Sequence, residues 1–464
     1  MTTPKRPQFE EPRKAPKDRK SGAPFPRGHH SAEKKRLRGK PNEKAGDDVL
    51  GAPKPQAGAQ ISRRAADRLR SGYVWVYASD VESLESGTVE TPTLLPIADS
   101  RGLLLGTGLY SPASQIVLRL VSRNAIDETE WLELLGQRLS AAIERRLPIF
   151  TSEELKTDSC RLCFSEADEI PGLVIDKYSD LVIVQLLAKG LDSLAARRKI
   201  VATIRGLVSP ASIVERPDPR IRELEGLSAP SLEPLYVVDP RNPMTATQFR
   251  LNGLTFHYDA NAGQKTGAFL DQRENYKAAQ EWAERLAPGG RALDVCTYQG
   301  GFALHLARVS KMVTGIDTSR ASLEVAERNL DANRSQLRAE VDWVEGDAFQ
   351  ILRDWSSAGG KFEAIVLDPP AFAKSKRAVE GALRGYKELN LRAMQMLGPR
   401  GLLITCSCSH HVSLANFEAV VTAAAADAGR RVILHERRGA AADHPVVLNV
   451  PETEYLKCLV LEVA

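Results

Sequence analysis

The sequence predicts an α/β fold whose C-terminal half is a mostly parallel, doubly wound sheet, preceded by a small β domain and a small α+β domain. Residues 291–317 carry the pattern of a strand, a glycine turn, a helix and a second strand ending in an acid. Strand and helix patterns then alternate to the C-terminus, which is typical of a parallel sheet covered on both faces. Residues 60–123 contain short strands separated by turns rich in glycine, proline and serine, as expected for a β domain.

These patterns divide the chain into four segments. We expect a disordered basic tail over residues 1–58 and the β domain over residues 59–127. A helix and the central α+β domain follow over residues 128–258, and the domain built on the parallel sheet covers residues 259–464. The length allows two or three domains at roughly 150 residues each.

The composition predicts a cytoplasmic protein that does not cross a membrane. No run of about 18 apolar residues is present, and the N-terminus has no apolar signal segment. Six cysteines in a chain of this length do not form the pattern of a disulfide framework. Residues 1–50 hold 14 lysines and arginines against 7 acidic residues. The tail can therefore bind phosphate backbones without sequence preference, or act only as a solubilising extension.

The β domain begins with a basic helical turn that contains Arg63, Arg64, Arg68 and Arg70. Alternating apolar and aromatic residues follow at positions 73–77, Tyr-Val-Trp-Val-Tyr. Arginines beside exposed aromatic side chains suit RNA, so we expect Arg63 and Arg64 to contact the substrate. A solvated charged surface is the alternative interpretation.

The central segment starts with the apolar spacing of one long helix over residues 128–148. Turns at residues 168–172 and 178–180 then separate short strands, and an amphipathic helix follows. Cys160 and Cys163 form a C-x-x-C pair without the two further ligands that a zinc site needs. We predict ordinary, partly buried cysteines and no metal there.

The first strand–loop–helix unit of the C-terminal domain predicts a site for S-adenosylmethionine (SAM). Its loop reads D-x-x-x-x-Q-G-G, not the G-x-G-x-x-G of dinucleotide sites. We expect Asp294 to line the methionine end and Asp317 to accept hydrogen bonds from the ribose hydroxyls. Gly300 and Gly301 would let the backbone approach the ligand closely. An ordinary βαβ unit is the alternative.

Two further acids fall after the next two strands of this domain. Asp347 is expected at the adenine edge, and Asp368 follows the fourth strand. Ligands of such sheets bind at the carboxyl ends of the strands. Because all four acids follow or end strands there, they are expected to lie at one edge and to form a single ligand site.

The segment 261–276, just before this unit, has the composition of a ligand-binding loop. Gln264 and its polar neighbours are expected to close over the cofactor, with Phe269 and Tyr298 as further contacts. We expect Asp271 to be the N-cap of the next helix. A domain linker is the alternative.

The motif Asp368-Pro369-Pro370-Ala371-Phe372 has the features of a base-binding loop. The two prolines fix an extended backbone that can hold the carboxylate and carbonyl groups toward a planar base. Phe372 offers a stacking surface, which an extruded base requires. A proline-rich loop without this role is the alternative.

Cys406 and Cys408 lie on one face of the next strand, with Cys408 nearer the open end. The C5 atom of cytosine does not take a methyl group unaided, but a thiolate added at C6 makes C5 nucleophilic. We therefore expect Cys408 to be the nucleophile and Asp368 to orient or deprotonate the base. Two inert, buried cysteines are the alternative.

In these motifs the chain resembles the RlmI-like SAM-dependent ribosomal RNA methyltransferases, whose best-described member is a 23S rRNA (cytosine-C5)-methyltransferase. The resemblance extends from about residue 60 to the C-terminus. It rests on motifs in a shared order: YSPASQI (110–116), EIPGLVIDKY (169–178), GQKTGAFLDQRENY (263–276), YQGGFAL (298–304), DPPAF (368–372), RGYKELN (384–390), SCS (407–409) and ADHP (442–445).

The resemblance implies an N-terminal PUA RNA-binding domain, a central α+β domain and a Rossmann-like class I methyltransferase domain. It also implies that Cys408 is the nucleophile, that SAM is the cofactor and that large-subunit ribosomal RNA is the partner. Enzymes of this family often act as homodimers. The sequence departs from the family at Ala371, where a basic residue is usual, and at Cys406, where an aromatic or aliphatic residue is expected.

Two other functions remain open from sequence. One is methylation of a base nitrogen, which the D-P-P-aromatic motif also suits and which needs no cysteine. The other is an RNA-binding ribosome-assembly factor that binds SAM without turnover.

Overall fold

The structure is a computed structural model that describes residues 58–85, 93–261 and 268–464, all within one compact unit, Pro55–Ala464. Residues 1–57 of the predicted basic tail and the predicted cofactor contact Gln264 lie outside the described residues. Within the described ranges, no helix combines the length and apolar character needed to cross a bilayer.

The N-terminal part forms a six-stranded sheet with one helix. The strands are β1 (Ala59–Ile61), β2 (Trp75–Tyr77), β3 (Val81–Leu84), β4 (Leu94–Asp99), β5 (Leu104–Tyr110) and β6 (Ile116–Ser122), in the order β2-β6-β5-β4-β1-β3. Helix α1 (Arg63–Arg70) follows β1, and the Ser62 hydroxyl accepts a hydrogen bond from the Ala65 N–H at its N-terminus. Ala65, Ala66 and Leu69 bury the apolar side of α1 against this sheet.

The central part combines a long helix with a five-stranded sheet. Its elements are α2 (Glu128–Thr151), β7 (Ser159–Phe164), β8 (Leu173–Tyr178), β9 (Leu181–Leu186), α3 (Leu194–Val208), β10 (Ser212–Glu215), α4 (Pro219–Leu224) and β11 (Tyr236–Val237). The sheet order is β11-β10-β9-β8-β7. Helix α2 begins with a capping box of Asp127 and Glu130 and continues past Pro148 beyond the predicted end. Cys160 and Cys163 are buried in β7, as expected of cysteines in an apolar core.

A hairpin of β12 (Ala246–Leu251) and β13 (Leu254–Asp259) leads into the last part of the chain. The backbone N–H groups of Thr255 and His257 in β13 donate to the side chains of Asn333 and Asn329, at 2.8 Å each. In a sheet these N–H groups would donate to a neighbouring strand. Here the side-chain oxygens of the two buried asparagines accept the hydrogen bonds, so the edge of the two-stranded hairpin is satisfied without a third strand.

The C-terminal part is a seven-stranded sheet with helices on both faces. Its elements are α5 (Arg273–Leu286), β14 (Arg291–Val295), α6 (Gly301–Leu306), β15 (Met312–Asp317), α7 (Arg320–Asn333), β16 (Glu340–Glu345), α8 (Ala348–Ser357), β17 (Phe362–Leu367), α9 (Val379–Met396), β18 (Leu397–Ser407), α10 (Leu414–Asp427), β19 (Val432–Arg438) and β20 (Lys457–Val463). The order is β16-β15-β14-β17-β18-β20-β19, and β20 runs antiparallel to both of its neighbours. The predicted doubly wound, mostly parallel sheet is therefore confirmed.

Helix α5 begins differently from the prediction. Its N-cap is Gln272, which makes no side-chain capping bond, and Asp271 lies in a short 3-10 turn, Leu270–Gln272. The Asp271 carboxylate accepts a hydrogen bond from the Tyr455 hydroxyl at 2.5 Å. The N-cap prediction for Asp271 is wrong because a tertiary partner, 184 residues away, takes the carboxylate.

Candidate active site

The carboxyl ends of five neighbouring parallel strands bring the predicted site residues to one edge of the sheet. Asp294 is the penultimate residue of β14, and Asp317 ends β15. Asp347 follows β16, Asp368 follows β17, and Cys408 follows β18. Because β15, β14, β17 and β18 are adjacent, the side chains predicted for cofactor and base surround one crevice.

Asp294 anchors the loop between β14 and α6. Its Oδ2 atom accepts hydrogen bonds from the Thr297 hydroxyl at 2.5 Å and from the Ala303 N–H at 2.9 Å. Its buried Oδ1 atom has no hydrogen-bond partner within the described part of the chain. Burial raises the pKa of Asp294 to about 7, with a further contribution from the charge of Asp317, while the two hydrogen bonds act against the rise.

Glycine is required at the two positions of this loop for different structural reasons. Gly300 has a φ of +85°, a left-handed conformation that glycine adopts without strain. A Cβ atom on Gly301 would lie 2.5 Å from the Cζ atom of Tyr276. The buried Tyr276 ring therefore packs closely against Gly301, which also lines a cavity over this loop.

Asp317 and Asp347 are fixed by backbone N–H groups and keep acceptor capacity. The oxygens of Asp317 accept from the Tyr298 N–H at 2.9 Å and from the Ser319 N–H at 2.8 Å. Asp347 is exposed, and as the N-cap of α8 it accepts from the Gln350 N–H at 2.9 Å. An ionised carboxylate has about four acceptor positions, so both groups can accept further hydroxyl or amine donors.

A cavity lies over this loop, next to the start of α5. Phe269, Cys296, Tyr298 and Asp368 are among the residues that line it. The rings of Phe269 and Tyr298 meet edge to face at 5.1 Å, and Phe269 is 45% exposed. Four of the predicted ligand contacts, Phe269, Tyr298, Gly301 and Asp368, thus share one cavity.

Asp368 lies where the cavity meets the loop after β17. Burial raises the pKa of Asp368 to about 8, with further contributions from the negative charges of Asp271 and Asp294, while a hydrogen bond from Gln272 opposes the rise. Around neutral pH this carboxyl can therefore donate as well as accept a hydrogen bond. Such a group suits proton handling at a bound base.

The remainder of the D-P-P-A-F loop packs partly into the protein. Pro369 is buried and Pro370 is exposed. The half-buried Phe372 ring lies 4.8 Å from the Tyr386 ring and 5.8 Å from the Phe349 ring. Phe372 therefore holds the loop against α8 and α9, in addition to any contact with a base.

Cys408 is half-buried at the end of β18 and faces the loop that contains Asp368. Its Sγ atom lies 3.9 Å from the carbonyl oxygen of Pro369. The S-C-S motif and the D-P-P motif, 39 positions apart in sequence, therefore meet directly. The structure brings together the thiol and the base-binding loop that were predicted independently.

The residues on both sides of Cys408 are held by the buried hydroxyl of Tyr386. The Ser407 hydroxyl donates to Tyr386 Oη at 2.9 Å, and Tyr386 Oη lies 3.0 Å from Ser409 Oγ. The Ala373 N–H also donates to Ser409 Oγ at 3.1 Å. This small polar network sets the position of the thiol relative to the loop.

Cys406 has different surroundings. It is completely buried and lies opposite Cys458 in the pairing of β18 with β20. Burial raises the pKa of the Cys406 thiol well above its usual range, with a further rise from Cys458. A thiol in such surroundings is unreactive, so Cys408 is the better placed of the two.

Arg63 and Arg64 are exposed on α1 and line a shallow surface depression with Asp67, Arg68 and Ser71. No described hydrogen bond or ion pair joins them to the cavity residues. They form a separate surface on the first sheet.

The aromatic side chains at positions 73, 75 and 77 are half-buried, and the first two also contact acidic residues elsewhere in the chain. The Tyr73 hydroxyl donates to Glu452 at 2.8 Å, and Trp75 Nε1 donates to Glu166 at 2.9 Å. Arg68 forms an ion pair with Asp80. The predicted arginine beside aromatic rings is present at Arg68, whose guanidinium lies 5.8 Å from the centre of the Tyr73 ring and 5.7 Å from that of Tyr77. An RNA contact at Arg63 and Arg64 stays a prediction.

Sequence reasoning missed several side chains of the site. Tyr276 fills the space above Gly301, Tyr386 holds the S-C-S motif, and Lys457 donates to the Ser409 carbonyl. Tyr276 and Tyr386 fall within the motifs G-Q-K-T-G-A-F-L-D-Q-R-E-N-Y and R-G-Y-K-E-L-N, so an aromatic residue within a recognised motif was an available signal.

Two family models match the chain, one over the N-terminal six-stranded sheet and one over most of the C-terminal seven-stranded sheet. A PUA-like domain model matches residues 59–123. An S-adenosylmethionine-dependent methyltransferase model matches residues 238–449.

Relatives and solved structures are similar over most of the chain. The ribosomal RNA large subunit methyltransferase I of Pseudoalteromonas translucida is 36% identical over 400 residues, covering 85% of this chain and 96% of the relative. The protein of the same name from Tolumonas auensis is 36% identical over 388 residues, covering 83% of this chain and 94% of the relative. A crystal structure of a methyltransferase complexed with SAH has a TM-score of 0.73 at 20% identity, covering 88% of this chain and all of that one, which shows the fold.

The residues of the crevice fit SAM. The Oδ1 atom of Asp294 is a buried acceptor with no partner among the described residues, and Asp317 retains acceptor positions for hydroxyl groups. Phe269 and Tyr298 supply apolar surface in the same cavity. These groups match the amino, ribose and base portions that such a cofactor presents.

Proposed function

This chain belongs to the family of the ribosomal RNA large subunit methyltransferase I proteins, SAM-dependent methyltransferases, and from that premise we propose that it forms 5-methylcytosine in large-subunit ribosomal RNA. The observation that carries the choice of C5 is the contact of Cys408 with the D-P-P loop, at 3.9 Å from the Pro369 carbonyl. A base held by that loop lies within reach of a thiol, which methylation at a base nitrogen does not require.

In the proposed reaction, the Cys408 thiolate forms a bond to C6 of the cytosine, and the electron pair of the C5–C6 double bond becomes available at C5. Bound SAM supplies the methyl group to C5 and is left as S-adenosylhomocysteine. Removal of the C5 proton then restores the double bond and breaks the S–C6 bond, so that the thiolate leaves.

Asp368 is proposed to orient the base or accept its proton. With a pKa of about 8, the Asp368 carboxyl is present in both protonated and ionised forms near neutral pH. The protonated form can donate a hydrogen bond to the base, and the ionised form can accept a proton. Pro369, Pro370 and Phe372 are proposed to hold the base, and Asp294, Tyr298, Asp317 and Asp347 the cofactor, together with Gln264, Phe269, Gly300 and Gly301.

The test is the identity of the methylated nucleoside. The full chain is incubated with labelled SAM and unmodified large-subunit ribosomal RNA, which is then digested to nucleosides. We expect label in 5-methylcytidine. Label on a base nitrogen would overturn the C5 assignment, and RNA binding without transfer of label would favour an assembly factor.

We also propose a division of labour between domains with boundaries near residues 127 and 258. The PUA-like part, with Arg63 and Arg64, would bind RNA beside the catalytic part, and the central part would connect them. The homodimer implied by the family resemblance is a further proposal, which sedimentation of the full chain would test.

A second RNA contact is proposed on the basic segment after the D-P-P-A-F loop. Lys374, Lys376 and Arg377 are exposed, and none of the ion pairs in the described part of the chain includes them. This exposed segment begins directly after Ala373. Ala373 is buried, and its backbone N–H donates a hydrogen bond to Ser409 Oγ. The segment thus places positive charge beside the base-binding loop, although Ala371 itself is not basic.

Replacing Lys374, Lys376 and Arg377 together by alanine is expected to raise KM for RNA more than it lowers kcat. Each lost phosphate contact reduces the salt dependence of single-strand binding by roughly 0.7 in logarithmic slope, so the loss is about 2 for three contacts. Binding measured against salt concentration checks this.

The matched control replaces Lys311, Arg338 and Lys361 by alanine. These exposed residues precede β15, β16 and β17, so they lie at the opposite edge of the same sheet. The control removes the same charge. An equal loss of RNA affinity in both variants would show that only net charge acts and would contradict the proposed contact.

A further inference from the structure

Lys457 is a buried lysine beside the proposed nucleophile. It is the first residue of β20, is 6% exposed, and pairs with Ser407 across the strands. Its Nζ atom donates to the carbonyl oxygens of Ser409 and Tyr455, both at 2.8 Å. The ammonium group is therefore held at the turn that contains Cys408.

The surroundings of Lys457 make its charge costly. Within the described part of the chain, no carboxylate lies within ion-pair distance of its Nζ atom, although lysines are rarely buried without one. Burial lowers the pKa of Lys457, and the negative charges of Cys408 and Glu454 oppose this fall. Two backbone carbonyls satisfy two of its three N–H groups and leave one donor.

Tyr386, Tyr455 and His410 are further ionisable groups near the thiol. Burial raises the pKa values of Tyr386 and Tyr455, so both hydroxyls stay protonated and neutral. Burial also lowers the pKa of His410, which sits next to Lys457, so this imidazole is neutral near pH 7. The Lys457 ammonium group is thus a positive charge held at the turn that contains Cys408.

We propose that Lys457 is a positioning residue that acts as the counter-cation of the Cys408 thiolate. Its ammonium group stabilises the charged nucleophile, and its bond to the Ser409 carbonyl holds the turn against the D-P-P loop. A thiolate beside a cation forms at lower pH, which is how reactive cysteines are commonly activated. This inference rests on the proposed function, in which Cys408 is the nucleophile.

The test measures the reactivity of the thiol directly. The full chain and its Lys457→Met and Lys457→Arg variants are treated with iodoacetamide between about pH 5 and pH 10, and alkylation of Cys408 is followed by mass spectrometry of its peptide. A nearby opposite charge moves a titration by about 1 to 3 pH units, so we expect the alkylation midpoint to rise by about that much in Lys457→Met. Lys457→Arg should keep most of the wild-type midpoint.

Lys177→Met is the matched control, because Lys177 is also buried and also donates to two backbone carbonyls, those of Asp158 and Ser179 in the central sheet. It should lower the melting temperature without moving the Cys408 midpoint. If Lys457→Met also lowers only the melting temperature, Lys457 is purely structural and the proposal is overturned.

The alkylation assay needs neither RNA nor SAM, so it is independent of the reaction assay. A raised midpoint in Lys457→Met supports the thiolate pairing whatever nucleoside is labelled. Failure to form 5-methylcytidine would instead count against the proposed function.

Discussion

Cys408→Ala is expected to abolish methyl transfer while the protein stays folded and binds SAM. Without the thiolate, no covalent bond forms at C6 and C5 does not become nucleophilic. We expect the rate to fall by roughly four orders of magnitude, which corresponds to about 5 kcal/mol of activation free energy. Single-turnover transfer of label into 5-methylcytidine measures the loss, and circular dichroism shows that the variant is folded.

Cys406→Ala is the matched control, two residues away on the same strand. Cys406 is completely buried opposite Cys458, so its removal leaves a small cavity and costs on the order of 1 to 2 kcal/mol of stability. Its activity should stay near that of the wild type. Full activity in Cys408→Ala would contradict the covalent mechanism and favour methylation at a base nitrogen.

The largest loss of stability is expected from Asp443→Ala, in the A-D-H-P motif. The carboxylate accepts from the Arg273 guanidinium at 2.9 Å and from the Arg161 N–H at 2.8 Å, and the Asp443 carbonyl accepts from Arg146 at 2.9 Å. Removing one partner of a buried ion pair leaves an uncompensated charge, which costs about 3 to 5 kcal/mol. Chemical denaturation of both proteins near pH 7 measures the free energy of unfolding.

The effect of Asp443 should depend on pH in a defined direction. Burial alone would raise the pKa of Asp443, but His444, Arg273 and the Arg161 N–H bring it well below its usual range. Because the folded pKa lies below the unfolded value of about 3.9, the stabilisation is complete above that pH. It is lost as the pH falls through the folded pKa, so the difference between wild type and Asp443→Ala should shrink in acid.

Glu380→Ala provides a surface control for this measurement. Glu380 pairs with Arg384 at 2.6 Å on α9, but its side chain is 87% exposed. Exposed pairs of this spacing contribute only about 0.3 to 0.5 kcal/mol. A loss in Asp443→Ala no larger than that of Glu380→Ala would contradict the assigned role of the buried network.

The parts of the fold that follow local periodicity were predictable from sequence. The alternation after residue 291 predicted the parallel sheet, and the turns at residues 168–172 and 178–180 correctly separate β7, β8 and β9. Strand β12 was not predicted. The buried residues of β12 alternate with exposed ones, and they become buried only because the hairpin packs against elements that are distant in sequence.

The positions of the candidate site residues in the fold were predictable where these residues end a strand or directly follow one. Asp317, Asp368 and Cys408 needed only the strand boundaries, since the carboxyl ends of adjacent parallel strands meet at one edge. Asp271 was assigned wrongly because its partner, Tyr455, lies 184 positions away in sequence.

The sequence by itself determined the order of strands and helices along the chain, the acids at the sheet edge and the position of the D-P-P and S-C-S motifs after neighbouring strands. These depend on periodicity and on residue type, which are local properties. Only the tertiary structure decided which groups surround Cys408, why Gly301 has no Cβ, and how Asp443 joins the central and C-terminal sheets. Such contacts join residues far apart in the chain, as Arg146 and Asp443 show with a separation of 297 positions, so no local pattern contains them.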